Sequence, residues 1–417
     1  MRRSILRYPR SAYRLVAVMA FVFLSGCESR PDTVISFPYL DGGTIDSQSA
    51  AQLDGLDRTT IDAQPEIDGQ TAIGAQPEID GQTAIDAQPG IDSTFGLDNS
   101  VVVNPVATVV VLPDTQFYSE SFPDIYKTQT QWIVDQAKRR NIRVVLHLGD
   151  IVDRYDDINQ WTNANKAMRL LDGVVPYLLV PGNHDMSIDL NARTTPINDY
   201  FAPQTLPWVM GTFETGKIEN NFFLVDIGPH KYLIIGLEWG PRNAALVWAD
   251  SVLKSYAAYP AIVVTHAFLD GDSRYDYAKY PGNIGQYWNP HWYADTYASD
   301  HKTPVAEVND GEEIYQKLVL PNPNVRIVLG GHVLGDTSYG AVGRLTDIRT
   351  NGSHIHQMLA NYQTVLLVNS YCGLGYLRMM EFDTGKKEIR VSTYSPYLDK
   401  LMSVPEEEAT FTLPLDD

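Results

Sequence analysis

Five short segments of this chain hold side chains of the types that bind divalent cations. They are Asp114-Thr-Gln116, Gly149-Asp150-Ile-Val-Asp153-Arg154, Gly182-Asn183-His184-Asp185, His266 and Gly331-His332. Carboxylates, amide oxygens and imidazoles brought together make a mixed oxygen-and-nitrogen site suited to Mn, Fe or Zn. One such segment would mean little. Five in order over more than two hundred residues point to a single centre.

Something must carry these segments to one place, and each follows an apolar, β-branched run. The runs are Val109–Leu112, Arg143–Leu148, Tyr177–Val180, Ala261–Thr265 and Val325–Leu329. Such runs predict buried strands whose carboxyl ends converge on one edge of a sheet. Between them, amphipathic spacing predicts helices over Thr128–Arg140, Ile158–Leu171 and Asn243–Tyr256. Strands alternating with helices make an α/β architecture. Near the end, Thr364–Val368, Gly375–Phe382 and Glu388–Tyr394 predict strands of a closing sheet, with a turn at Asp383-Thr-Gly385.

The Gly-Asp-x-x-Asp and Gly-Asn-His-Asp pair, together with His266 and Gly331-His332, resembles the calcineurin-like metallophosphoesterases. The resemblance runs from about Val106 to Tyr397. It implies a metallophosphoesterase-like sandwich of two mixed β-sheets flanked by helices, with a dinuclear metal centre at the strand ends. On this resemblance Asp150 bridges both cations, and Asn183, His266 and His332 complete the second site. Asp114 binds the first. His184 is then the general acid to the leaving oxygen, Asp153 orients it, and Arg154 grips the phosphate. The implied chemistry is attack on phosphorus by a hydroxide that the two cations, about 3.5–4 Å apart, generate near neutral pH.

Two positions depart from the family pattern. Gln116 stands where the first motif usually has His, and Leu334 stands where Gly-His-x-His has its second His. Both missing imidazoles belong to the first metal. An amide oxygen from Gln116 favours a harder cation such as Mn or Mg, and Leu334 offers no donor. The second site is therefore expected intact and the first depleted, with Asp336, His354 and His356 as candidates to replace the lost ligand.

Other residues admit bland readings beside the chemical ones. His147, inside a strand, reads as a satisfied core histidine, and Asp185 as a cap for the segment after it. Glu238 and Arg242 either line the pocket or form a structural ion pair. The aromatic-rich stretch Tyr275 to Tyr297, with His291 within it, forms a wall over the site or an ordered lid. Asn309-Asp310-Gly311 is a turn before a helix.

Length and charge bound the rest. The 417 residues suit one large domain or two ordinary ones, and the formal net charge is −19. No basic stripe is present, so extended nucleic-acid binding is not expected and small substrates are favoured. Residues 1–27 carry five arginines, no acids and a short apolar run ending Leu24-Ser-Gly-Cys27. That end resembles a bacterial lipoprotein cleavage box, which implies a signal peptide, a lipid on Cys27 and a membrane-anchored placement facing the periplasm or cell exterior. Cys372 is then left without a disulfide partner and reads as a buried thiol. Residues 28–105 hold twelve-residue repeats built on Ala-Gln-Pro and read as an acidic, disordered tether. A coil of that length spans on the order of 50 Å. The catalytic domain is expected over 106–398 and a tail over 399–417.

The sequence thus predicts a metal-dependent phosphoesterase acting on a small phosphomonoester or phosphodiester. A membrane-tethered, metal-binding recognition protein without turnover is the alternative from another class, favoured by the depleted first site. A protein phosphatase is a further rival, favoured by Arg154. Protein partners are not legible.

Overall fold

The chain enters one sheet through β1 (Val106–Leu112), β2 (Ile142–His147) and β3 (Tyr177–Leu178). It then builds a second with β4 (Gly211–Thr212), β5 (Asn221–Ile227), β6 (His230–Leu237) and β7 (Ala261–Thr265). A short hairpin, β8 (Leu269–Asp270) and β9 (Ser273–Arg274), precedes β10 (Val325–Gly330), β11 (Ala341–Ile348) and β12 (His354–Asn361), which complete the second sheet. Another hairpin, β13 (Leu366–Leu367) and β14 (Ser370–Tyr371), leads back to the first with β15 (Leu377–Asp383), β16 (Glu388–Ser395), β17 (Lys400–Leu401) and β18 (Thr410–Pro414). In this computed structural model residues 106–416 are described, apart from 302–304, 368, 369 and 372. The expected signal peptide with Cys27, the tether and Cys372 lie outside the described residues. Among those described, no helix is long and apolar enough to cross a membrane.

Sheet one has the order β17-β16-β15-β1-β2-β3, with β18 also on β16, and sheet two the order β11-β12-β10-β7-β6-β5-β4. Both are mixed. β1, β2 and β3 run parallel, whereas β15 and β16 are antiparallel. In sheet two β12, β10, β7 and β6 run parallel, flanked by antiparallel β11 and β5.

Alternation along the strands explains the layers. In β1, Val109 and Val111 face a central core that also holds Leu146, Ile262, Val264, Ile327 and Leu329 from both sheets. Val110 and Leu112 point the other way, onto Tyr126, Ile133, Trp161 and Met168 of helices Pro123–Gln136 and Ile158–Met168. Sheet two does likewise: Val263 and Val328 pack on Leu246, Ala249 and Leu253 of helix Asn243–Ser255. Strands apolar on both faces are what a sheet sandwiched between another sheet and helices requires. The result is the expected sandwich.

Three expectations are corrected. The five motif-bearing strands do not share one sheet edge: β1, β2 and β3 belong to sheet one, β7 and β10 to sheet two. Run composition gives burial but not partners. The strand expected over Thr364–Val368 shortens to β13, which among the described residues pairs with β14 in a separate two-stranded sheet. The segment expected as a tail, 399–417, instead carries β18, which pairs with β16 from Ser392↔Thr410 to Glu388↔Pro414 and buries Phe411 and Leu413.

Candidate metal centre

The carboxyl ends of β1, β2 and β3 meet those of β7 and β10, and the motif residues lie in the loops just beyond. Each loop is shaped for close approach. Asp150 and His332 have φ of 49° and 76°, a left-handed conformation that non-glycine residues rarely adopt outside sites that need it. Gly182 is required beside them, because a Cβ there would lie 2.1 Å from Asp150 Oδ1. A Cβ on Gly331 would lie 2.2 Å from Asp114 Oδ1. Both glycines let a backbone pass close against a carboxylate oxygen.

Around His266 the cluster is tight. Its Nε2 lies 3.1 Å from Asn183 Oδ1, 3.2 Å from His332 Nδ1 and 3.3 Å from Asp150 Oδ2. The tautomers follow from the other nitrogens. His266 Nδ1–H donates to the Leu148 carbonyl at 2.8 Å, and His332 Nε2–H donates to the Trp288 carbonyl at 2.9 Å. The two lone pairs therefore face each other, with a carboxylate and an amide oxygen beside them. That is a donor set for a divalent cation: two imidazoles oriented by backbone carbonyls, one carboxylate and one amide. Burial lowers His266, but Asp150 and Asp114 outweigh it and raise His266 to about 9, whereas burial and His266 take His332 down to about 3. Asp150 stays ionised: burial opposes this, but His266 and His184 hold it well below the usual carboxylate range.

The first-site residues are built of oxygen. Asp114 is buried, and burial pushes its carboxyl up to about 8 against the opposing pull of His266. Gln116 donates Nε2 to Asp153 Oδ1 at 3.2 Å, and its buried Oε1 has no hydrogen-bond partner. A buried, unpartnered carbonyl oxygen two residues along from the buried Asp114 fits a hard cation, so the residues present suit the implied group. None of the expected replacement ligands arrives. Asp336 bonds Ser338 in an exposed turn, His354 pairs with Asp416 at 2.8 Å, and His356 bonds the Pro414 carbonyl. Leu334 is 42% exposed and supplies no donor.

His184 follows Asn183 and is joined to Asp150 by its own N–H, at 3.0 Å from Oδ1. Its Nδ1–H donates to the main-chain carbonyl of Asp153 at 2.8 Å, while the Asp153 carboxylate stands off at 3.6 Å. The expected orientation by the Asp153 side chain is thus mainly the work of its backbone. The carboxylate instead accepts from Gln116. Burial lowers His184, yet Asp150 and Asp153 together leave it raised. Arg154 is not drawn in. Its side chain, 63% exposed, reaches Asp156 at 3.4 Å.

The bland readings divide. His147 is the satisfied core histidine expected, with Nε2 3.0 Å from Thr115 Oγ1 and burial lowering it to about 3. Glu238 and Arg242 form an ion pair at 2.8 Å that extends to Arg193 and Glu214. Asp185 does not cap the segment after it. Its carboxylate accepts from Ile151 and Val152 in one motif loop and Gly182 in the other, at 3.0, 2.9 and 2.8 Å. Asn309-Asp310-Gly311 does start a helix, with Asp310 and Glu313 making a capping box.

The aromatic stretch packs against the centre. Tyr275 and Tyr293 ring centroids lie 6.1 and 6.2 Å from that of His332, and Tyr287 is 47% exposed. His291 stacks on Tyr277 and bonds Glu313 at 2.5 Å; Asp310 and Asp295 also face it, and Lys317 pairs with Glu313. Burial lowers His291, but the bond to Glu313 and the charges around it outweigh burial and leave it raised. Stability from this pair is therefore full below the unfolded value of about 6.5 and is lost as pH rises through the folded one. The melting-temperature gap between wild type and His291→Leu is expected to shrink as pH goes from 6 to 9. A gap that widens over that range contradicts the ion pair.

The comparisons with known proteins follow this geometry. A Bacillus subtilis (strain 168) protein, "Uncharacterized protein YvnB", is 31% identical over 300 residues, which is 70% of this chain and 20% of that one. Purple acid phosphatase 21 of Arabidopsis thaliana is 25% identical over 215 residues, 49% of this chain and 41% of that one. The chain thus spans less than half the length of either relative. Among solved structures, the purple acid phosphatase PPD1 from yellow lupin (Lupinus luteus) aligns with a TM-score of 0.43 and 15% identity, covering 75% of this chain and 54% of that one. The family model for calcineurin-like phosphoesterases matches residues 107–336, a span that begins within β1 and takes in every one of the five motif segments, so the chain belongs to the calcineurin-like phosphoesterase family.

Proposed function

We propose that this chain is a metal-dependent phosphoesterase that hydrolyses a small phosphomonoester or phosphodiester, with His184 as the proton donor to the leaving oxygen. The placement of His184 carries the reading. Its imidazole is fixed at Nδ1 by the Asp153 carbonyl, adjoins Asn183 in sequence, and remains 38% exposed. Nε2 is therefore the atom left to meet a substrate. A binding protein on this fold has no use for an oriented, raised imidazole at that position. Family membership and the partial likeness to purple acid phosphatase 21 support the reading.

Divalent cations held by Asp114, Gln116, Asp150, Asn183, His266 and His332 would neutralise phosphate oxygens and make a water nucleophilic near neutral pH. Asp150 stands 3.3 Å from His266 Nε2, acts electrostatically on Asp114, and keeps its negative charge. Leu148 and Trp288 carbonyls hold the two imidazoles in the tautomers that present lone pairs inward. His184 gives its Nε2 proton to the departing alcohol.

His184→Ala should lower turnover of an alkyl phosphate by about 10²–10⁴-fold. Turnover of a p-nitrophenyl ester should fall much less, because that leaving group departs without a proton. Equal losses on both esters, or a loss under threefold on the alkyl ester, would remove His184 from the acid role. No hydrolysis of any ester by a wild-type chain loaded with Mn would favour the binding protein.

A further inference from the structure

The family pattern assigns nothing to the end of β12, a sixth strand end that reaches the same place. Asn361, the last residue of β12, is buried, and its Nδ2 donates to Asp114 Oδ2 at 2.7 Å. The amide's orientation is not arbitrary. Asn361 Oδ1 accepts from Gln363 N–H at 2.9 Å, so the oxygen is taken by a backbone donor and the nitrogen must face the carboxylate. Asn361 is therefore no metal ligand itself. Asp114 Oδ2 also accepts from His332 N–H, at 3.1 Å, whereas the same N–H is 3.4 Å from Oδ1. Two donors thus hold Oδ2, while Oδ1 keeps only the longer share of the His332 N–H. Oδ1 is also the atom against which Gly331 has no side chain.

We propose that Asn361 is the positioning residue of the first metal site: it fixes the Asp114 carboxylate by Oδ2 so that Oδ1 is presented to the cation, in a site that lacks both family imidazoles. The inference rests on the two-metal reading above. β12 lies in sheet two and β1 in sheet one, so the bond also sews the two sheets together at the centre. Where imidazoles would supply affinity of their own, an oxygen-built site of Asp114, Gln116 and Asp150 depends more on how rigidly each oxygen is held. Such a site favours Mn over Zn.

The test is Mn titration of the full-length chain, wild type against Asn361→Ala, followed by electron paramagnetic resonance and by melting under chelator. Wild type should take up two equivalents with unequal affinity. Asn361→Ala should weaken the weaker equivalent about 10–100-fold. The stronger equivalent should hold, and the melting temperature under chelator should fall by only a few degrees, since Gln363 N–H loses its acceptor and Asp114 one of its donors. Asn361→Leu, which keeps the volume, should behave alike and serves if the alanine variant does not fold. Unchanged affinity at both sites overturns the proposal. So does an equal loss at both sites with a chelator melting point lowered by much more than that, since that is the mark of a structural role. A wild type that binds one equivalent at millimolar Mn instead sinks the two-metal reading beneath it.

Discussion

Asp150→Asn is expected to remove most of the bound metal and to lower turnover by on the order of 10³-fold or more, with the fold intact. The substitution is nearly isosteric, and asparagine tolerates the positive φ at this position, so the backbone has no reason to move. The side-chain oxygen can still accept from His184 N–H, as Oδ1 does now at 3.0 Å. The other atom becomes an NH2 group facing His266 Nε2, where Oδ2 stands at 3.3 Å. Two protons then point into the space a cation must fill, and the one charge that both ligand sets share is gone. Metal content per chain, circular dichroism and turnover, measured together, decide it. A variant that keeps a tenth of the activity with full metal content would show that Asp150 does not bridge.

Asp185→Ala is expected to cost about 3–5 kcal/mol of folding stability, large for any single substitution. Its carboxylate accepts three buried N–H groups, and each donor left without a partner costs about 1–3 kcal/mol. Burial and the nearby Asp150 raise the carboxyl to about 7, while the three N–H donors pull it down. The loss falls on the two loops that carry Asp150 and Asn183, so metal should be lost at lower denaturant than the strands unfold. Urea unfolding watched by metal release and by circular dichroism separates the two events. A change below about 1 kcal/mol would mean that water replaces the carboxylate easily.

Much of this was legible in the chain. The motif segments lay just beyond their strands, and three helices fell within a few residues of expectation. The first began earlier than its apolar spacing indicated, at Pro123, since proline at the first helical position is a start signal that the periodicity ignores. Strand β18 could have been read too: in Thr410-Phe-Thr-Leu-Pro414, Phe411 and Leu413 alternate with exposed residues. The division of strands between two sheets could not, because an apolar run reports burial and not its neighbours. Nor could Asn361. An asparagine at a strand end is ordinary, and only the fold brings it across from sheet two to Asp114. Asp185 was misjudged for a related reason: its three donors lie in two loops, one of them more than thirty residues upstream.

The Trp288 carbonyl has a consequence beyond setting a tautomer. Trp288 sits at φ 60°, strained for a tryptophan, and its N–H is held by Asn283 Oδ1 at 2.7 Å. His332 would thus meet a cation with one ring nitrogen, Nδ1, while the other is held by the aromatic stretch through the Trp288 carbonyl. Coupling through one imidazole is reciprocal: whatever free energy the stretch lends to metal binding, metal binding returns to the ordering of the stretch. Loading the chain with metal should therefore slow amide exchange around Trp288, and shortening that stretch by engineering should cost metal before it changes the choice of substrate.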